Sequence, residues 1–175
     1  MKAYLQDNNI ILRAVEPDDL DFLYLAENDT MAWSHSSTSA PMSRMLLQEY
    51  ITQYTADIYR DRQLRLIAIH AHTGERIGIA DLYDYDPRNS RAGIGIYTTP
   101  SLRGKGYGTA ILSALCRYAQ EFLNIHMLYA IIEENNAASR HIFTRCDFLH
   151  TATLEQWVKT PQGYSSAVMM QRTAQ

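Results

Sequence analysis

The sequence predicts a mixed α/β fold: one central, twisted, mixed sheet of about seven strands with helices on both faces. Three observations lead there. Short β-type apolar runs alternate with stretches of helical period in the order β-α-α-β-β-β-α-β-α-β-β, an order that buries sheet faces against helix stripes in a layered core. The 175 residues are 46% hydrophobic and 20% charged, which suits a globular chain able to bury a sizeable core; residues 1–175 are expected to form a single domain. No apolar run approaches the ~20 residues that a membrane-spanning helix needs.

The elements follow in order. Residues 9–15, with Ile10, Ile11 and Leu12 in succession, read as the first strand. Glu16-Pro17-Asp18-Asp19 signals a helix start, since proline presets φ for a first turn and acids suit the positive end of the helix. Leu20, Phe22, Leu23 and Leu25 continue as its stripe. Residues 28–42 are polar and read as a loop carrying Trp33, His35 and a run of serines. A second helix bears Leu46, Leu47, Tyr50, Ile51 and Tyr54. Residues 64–70 and 77–85 flank the turn His72-Thr73-Gly74-Glu75 as a hairpin, and Pro87-Arg88-Asn89-Ser90 turns the chain into a strand over 91–97. A helix is predicted from about 109 to 123, a strand over 126–133 and a helix from 136 to about 145. Two late strands, 148–158 and 165–171, surround Pro161-Gln162-Gly163.

The junction at residues 94–109 carries the most information. An apolar strand ends, a loop follows with Gly104, Gly106, Gly108, Arg103 and Lys105, and Ala110-Ile111-Leu112 opens a helix. A helix N-terminus presents unpaired N–H groups and a positive dipole end, and glycines let that backbone close on an anion. The loop therefore reads as a phosphate cradle. It is neither G-x-x-x-x-G-K-[ST] nor G-x-G-x-x-G, because Thr109 stands where the third glycine belongs. A plain glycine-rich helix cap is the alternative.

What is present is R-x-x-G-x-G, as Arg103, Gly106 and Gly108. It resembles the acetyl-CoA-binding motif of the GCN5-related N-acetyltransferases (GNAT). Asn136-Ala137-Ala138-Ser139-Arg140-His141-Ile142-Phe143-Thr144-Arg145-Cys146-Asp147-Phe148 is similar to the family's second signature, N-x-x-[SA]-x-x-L-Y-x-x-x-G-F. Leu12-Arg13 with Asp18-Asp19 is similar to the start of its ribosomal-protein-alanine and spermidine branches. The resemblance implies the acyl-CoA N-acyltransferase fold, acetyl-CoA as acetyl donor and no metal. It implies pantetheine along the backbone of Ile96, Tyr97 and Thr98. The diphosphate would rest on Gly104, Lys105, Gly106, Tyr107, Gly108 and Thr109 beside Arg103. Asn136 would lie near the cofactor arm, although capping its helix explains it equally. The implied reaction is direct attack on the thioester by a primary amine, either a polyamine such as spermidine or a protein N-terminal amine. A non-catalytic acyl-CoA sensor or scaffold is the alternative.

An alkylammonium, with a pKa near ~10, must lose a proton before it attacks. Asp81 is the first candidate base, because it shares a strand face with Ile77, Ile79 and Tyr83; a surface carboxylate is the other reading. Glu133, at the end of its strand, is the second. The family's acid is a tyrosine, and Phe143 stands in its place. Ser139, one turn earlier on the same face, could serve the departing thiolate or satisfy a local carbonyl. Asp147 replaces the signature glycine and is expected to end its helix in the left-handed conformation. Asp81, Asp84, Asp86, Glu133, Glu134 and Glu155 are expected to gather at one end of the sheet, where Trp33, Tyr83, Tyr85 and Trp157 either wall a cationic substrate or belong to the core. His35, His70 and His72 have no telling spacing. A net charge of −3 argues against nucleic acid as a partner. No membrane partner is expected, and a homo-oligomer is compatible with the sequence. Cys116 and Cys146 lack metal-ligand spacing and read as buried thiols. With no secretory signature in Met1-Lys2-Ala3-Tyr4-Leu5-Gln6-Asp7, they point to the cytoplasm.

Overall fold

The computed structural model describes residues 4–33 and 40–174, and His35 lies outside them. Eight strands form one sheet: β1 (Gln6–Asp7), β2 (Ile10–Ala14), β3 (Leu64–His70), β4 (Arg76–Asp86), β5 (Arg91–Thr98), β6 (Met127–Glu133), β7 (Leu149–Thr160) and β8 (Gly163–Thr173). Their order across it is β1-β2-β3-β4-β5-β6-β8-β7. Every neighbouring pair is antiparallel except β5 and β6. The count exceeds the expected seven because β1, paired through Gln6↔Ile11 and Asp7↔Ile10, is too short to show a period in the sequence.

Helices cover both faces. On one, α1 (Leu20–Glu27) and α3 (Arg44–Gln53) bury Leu23, Ala26 and Leu47 against Ile67 and Ile79. On the other, α5 (Tyr107–Arg117) and α6 (Ala137–Arg145) bury Ile111, Leu112, Leu115 and Phe143 against Leu66, Leu82, Ile94 and Leu128. Two single-turn helices depart from expectation. The stretch read as a loop contains α2 (Thr30–Trp33), and α4 (Ile58–Asp61) was not foreseen; one turn is too short to display a 3.6-residue repeat. The helix predicted to run to Leu123 is α-helical only to Arg117 and continues as a π-helical turn over Tyr118–Phe122.

The signal Glu16-Pro17-Asp18-Asp19 has a second task. Asp19 is fully buried. It accepts from Arg13 Nη1 and Nη2 at 2.7 and 2.8 Å, from Arg76 Nε at 2.6 Å and from the Glu16 N–H at 2.8 Å. One carboxylate thus pins the start of α1 to β2 and β4. Burial alone would raise its pKa; the two guanidiniums and the N–H outweigh that and hold it at about 2.

The acids do not gather at one end, as they were expected to. Asp86 sits at the β4–β5 turn, where it accepts from the Arg88 and Asn89 N–H groups and pairs with Arg91. Asp84 forms a bulge there with φ +49°. Glu133, the last residue of β6, and Glu134 lie at the opposite end, where Glu155 joins them through Ser166. Antiparallel β4 and parallel β6 carry their C-terminal acids in opposite directions.

Candidate functional site

The left-handed turns and the helix mouth expected of the 103–109 loop are present. Gly104 and Gly106 have φ of +76° and +83°, the left-handed region that a side chain disfavours. Gly106 caps α5, whose first backbone bond runs from the Ala110 N–H to the Gly106 carbonyl. The N–H groups of residues 104–109 have no backbone acceptor among the described residues. Unpaired donors at the positive end of a helix form an anion site. Gly108 serves packing instead: a Cβ there would lie 3.0 Å from Ile142 Cδ1, 3.5 Å from Thr98 Oγ1 and 3.6 Å from Ile96 Cδ1. The mouth of α5 is therefore seated directly between β5 and α6. A polar groove of about 730 Å³ leaves Gly106 and Thr109 along α5 past Arg117, Arg145 and Arg172, and no β5 residue lines it.

Next to the cradle the sheet divides. β5 and β6 pair only at Arg91↔Met127, Ala92↔Leu128 and Gly93↔Tyr129. Beyond that level β6 pairs with β8 alone and β5 with β4 alone. A Cβ on Gly78 would overlap the Tyr97 carbonyl oxygen, and the Thr99 N–H donates to the Ile77 carbonyl at 2.9 Å. Tyr97 and Thr99 thus face β4. By strand alternation Ile96 and Thr98 turn their N–H and C=O groups into the fork. The Thr98 carbonyl accepts from Arg103 Nε at 3.1 Å. The same guanidinium reaches Asp29 at 3.5 Å, and Asp29 also accepts from the Tyr97 hydroxyl at 3.3 Å. Arg103 therefore ties the cradle's flank to the end of α1. Lys105 stands exposed on the loop.

On the α1/α3 face the registers align Arg65 with Asp81 and Asp81 with Gly95, beside the fork. Asp81 is not a lone acid on an apolar face. Arg65 Nε and Nη2 grip its two oxygens at 2.8 Å each, and Nη1 pairs with Glu27. The Tyr54 hydroxyl donates to the Arg65 carbonyl at 2.6 Å and accepts its N–H at 2.7 Å. Burial would lower the Arg65 pKa; Asp81 and Glu27 push it the other way, well above its ordinary value. Glu27, Arg65 and Asp29 were not singled out from the sequence. An arginine inside the apolar run of β3 was the available signal, since such a charge requires an acidic partner.

Of the three residues proposed for catalysis, Asp81 lies on β4 opposite Gly95, one strand from the fork, and Glu133 ends β6, the far arm. Ser139 lies on α6, on the other face. Its N–H donates to Asn136 Oδ1 at 3.0 Å, so Asn136 is the cap of α6. Phe143 is 3% exposed and packs edge-on against Phe148 at 4.9 Å. Asp147 adopts φ +64°, as expected. Of the four aromatics, Tyr83 stands at the fork and Trp33 donates to the Glu27 carbonyl at 2.7 Å. Tyr85 is core, and Trp157 is exposed on the edge strand β7. Burial raises the Cys116 thiol to about 12 and the Cys146 thiol to about 11, so both remain protonated.

A family model described as an acetyltransferase (GNAT) domain matches residues 9–149. The spermidine N(1)-acetyltransferase of Vibrio cholerae is 24% identical over 148 residues, covering 85% of this chain and 83% of the relative. The crystal structure of spermidine N-acetyltransferase from Vibrio cholerae with CoA and spermine superposes with a TM-score of 0.86 at 22% identity, over 95% of this chain and 96% of that one; a dodecameric form of that enzyme is also known. RimL, a ribosomal L7/L12 alpha-N-protein acetyltransferase solved with coenzyme A, gives 0.82 at 19% identity over 96% of each chain.

Proposed function

The chain belongs to the GNAT acetyltransferases, and from that premise we propose that it transfers the acetyl group of acetyl-CoA to a primary amine of a polyamine. The carrying observation is the junction of two features: a run of N–H groups at residues 104–109 with no backbone acceptor among the described residues, and the packing of Gly108 against Ile96 and Thr98 on the β5 arm of the fork. When bound, acetyl-CoA supplies an activated acyl group on a good leaving group. The N–H groups of Gly104 to Thr109, with Lys105 beside them, take the diphosphate. Ile96 and Thr98 offer strand-like hydrogen bonds to pantetheine, and Asn136 holds the mouth of α6 beside it. The amine approaches from the α1/α3 face. There Glu27 and Asp81 share a single guanidinium, so the cluster keeps a net negative charge suited to an ammonium. Asp81 receives the amine's proton through a water, Glu133 adds a carboxylate on the other arm, and the Ser139 hydroxyl serves the departing sulfur.

Thiol release from acetyl-CoA, followed against spermidine, spermine and N-terminal peptides, tests this. Faster turnover with the polyamines is expected. A preference for peptides would move the acceptor toward RimL's class, and binding without turnover would favour the sensor. Asp81→Asn should lower kcat roughly 100-fold near neutral pH; a wild-type pH–rate profile in that variant removes Asp81 as the base. A cytoplasmic location is part of this proposal, and the two buried free thiols support it. Self-association belongs to the same proposal, because edge strand β7 is uncovered and Leu149, Trp157 and Tyr164 are exposed on the β7–β8 hairpin.

A further inference from the structure

Phe143 is buried and without a hydroxyl, but tyrosines of the sheet, Tyr83 and Tyr129, bring hydroxyls to the fork. The Tyr83 ring lies across β5 on the α1/α3 face. A Cβ on Gly93 would overlap its Cε2, Cδ2 and Cζ, and a Cβ on Gly95 would come within 3.7 Å of Cε1. These two glycines bracket the level at which β5 and β6 separate, since Gly93 is the last β5 residue paired to β6. Across the fork Tyr129, the partner of Gly93, meets the Tyr83 ring edge-on at 6.3 Å and fixes it. Among the described residues the Tyr83 hydroxyl has no hydrogen-bond partner, although the ring is well packed.

We propose that the Tyr83 hydroxyl is a hydrogen-bond donor to the carbonyl oxygen of the bound thioester, stabilising the negative charge that develops there as the amine attacks. The proposal rests on the acetyl-transfer reading above. Geometry selects the oxygen over the sulfur. The cradle lies at the mouth of α5, which covers one face of the sheet, whereas Tyr83 lies on the opposite face. A chain entering the fork from the α5 side presents its acyl end, not its sulfur, to the Tyr83 side. Gly93 and Gly95 leave bare backbone under the ring, so nothing from β5 intervenes. The hydroxyl also keeps its proton. Burial first, then Tyr129, Asp84 and Asp81, push it up to about 12, so it donates a hydrogen bond throughout the working range rather than giving up the proton. The new N–C bond forms and the C–S bond breaks with the electron pair leaving on sulfur. The amine's proton goes to solvent or to a carboxylate, and Tyr83 is unchanged.

Tyr83→Phe preserves the ring that packs over Gly93. It should lower kcat with spermidine roughly 100-fold, with the KM for acetyl-CoA and the melting temperature close to wild type. Independently of turnover, a protein carrying 3-fluorotyrosine at position 83 should show a ¹⁹F resonance that shifts with acetyl-CoA and shifts less with CoA, which has no carbonyl at that point. A kcat within threefold of wild type overturns the proposal, as does a rise in amine KM alone or a resonance that answers the two ligands alike. If no amine is acetylated by the wild-type protein while the resonance still separates acetyl-CoA from CoA, the acceptor reading fails and the placement of Tyr83 stands.

Discussion

Asp19→Ala should destabilise the protein by roughly 3–5 kcal/mol, because it strands two guanidiniums, Arg13 and Arg76, together with the Glu16 N–H, around a fully buried site. Chemical denaturation with the slope m held constant measures it. Titrating the same carboxylate costs less, since a protonated Asp19 still fills the site. Its folded pKa of about 2 lies below the ordinary 3.8. Its stabilisation is therefore complete above pH ~4 and lost as the pH falls from about 4 to about 2, a loss of about 2 kcal/mol. An acid-unfolding curve that is identical in wild type and Asp19→Asn would contradict this assignment. The functional consequence runs through α1. Asp19 anchors its first turn, Glu27 ends it on Arg65, and Asp29 just beyond meets Arg103.

Gly106→Val should raise the KM for acetyl-CoA between tenfold and 100-fold. At φ +83° a β-branched residue carries roughly 1–3 kcal/mol of strain. Relief of that strain rotates the N–H groups away from their common focus, and each 1.4 kcal/mol lost is about a factor of ten in affinity. No side chain of the described residues lies within 4 Å of the added Cβ, so the fold should survive while the cradle fails. Steady-state kinetics with a melting curve separates the two effects. An unchanged KM in a folded variant would show that the loop merely caps α5.

The geometry of the 103–109 loop was legible because it is local. Glycine spacing, the flanking strand and the opening of a helix all lie within residues 94–109, and the left-handed turn at Asp147 and the cap at Asn136 are local in the same way. The fork was not legible from the residues themselves. It exists because pairing stops at Gly93↔Tyr129, a register between strands separated by a helix. The alternation of Gly93 and Gly95 was visible, but not the ring that requires their lack of side chains, because Tyr83 reaches them only through the β4–β5 register. For the same reason Asp81 was grouped with Ile79 and Tyr83 as found, but Ile77 lies in the opposite core beyond the β3–β4 bulge, and the partner of Asp81 was missed. Nothing in the sequence near Asp81 announces Arg65, which lies on the neighbouring strand β3, or Glu27 on α1. The expected cluster of acids failed on strand direction alone.

Coenzyme A added to ¹⁵N-labelled protein provides the most direct measurement. The amide resonances of Gly104 to Thr109 should shift with coenzyme A, whereas pantetheine, which lacks the diphosphate, should move only those of Ile96 and Thr98. Binding of coenzyme A that leaves the amides of residues 104–109 unmoved would contradict the assignment of the helix mouth as the diphosphate site.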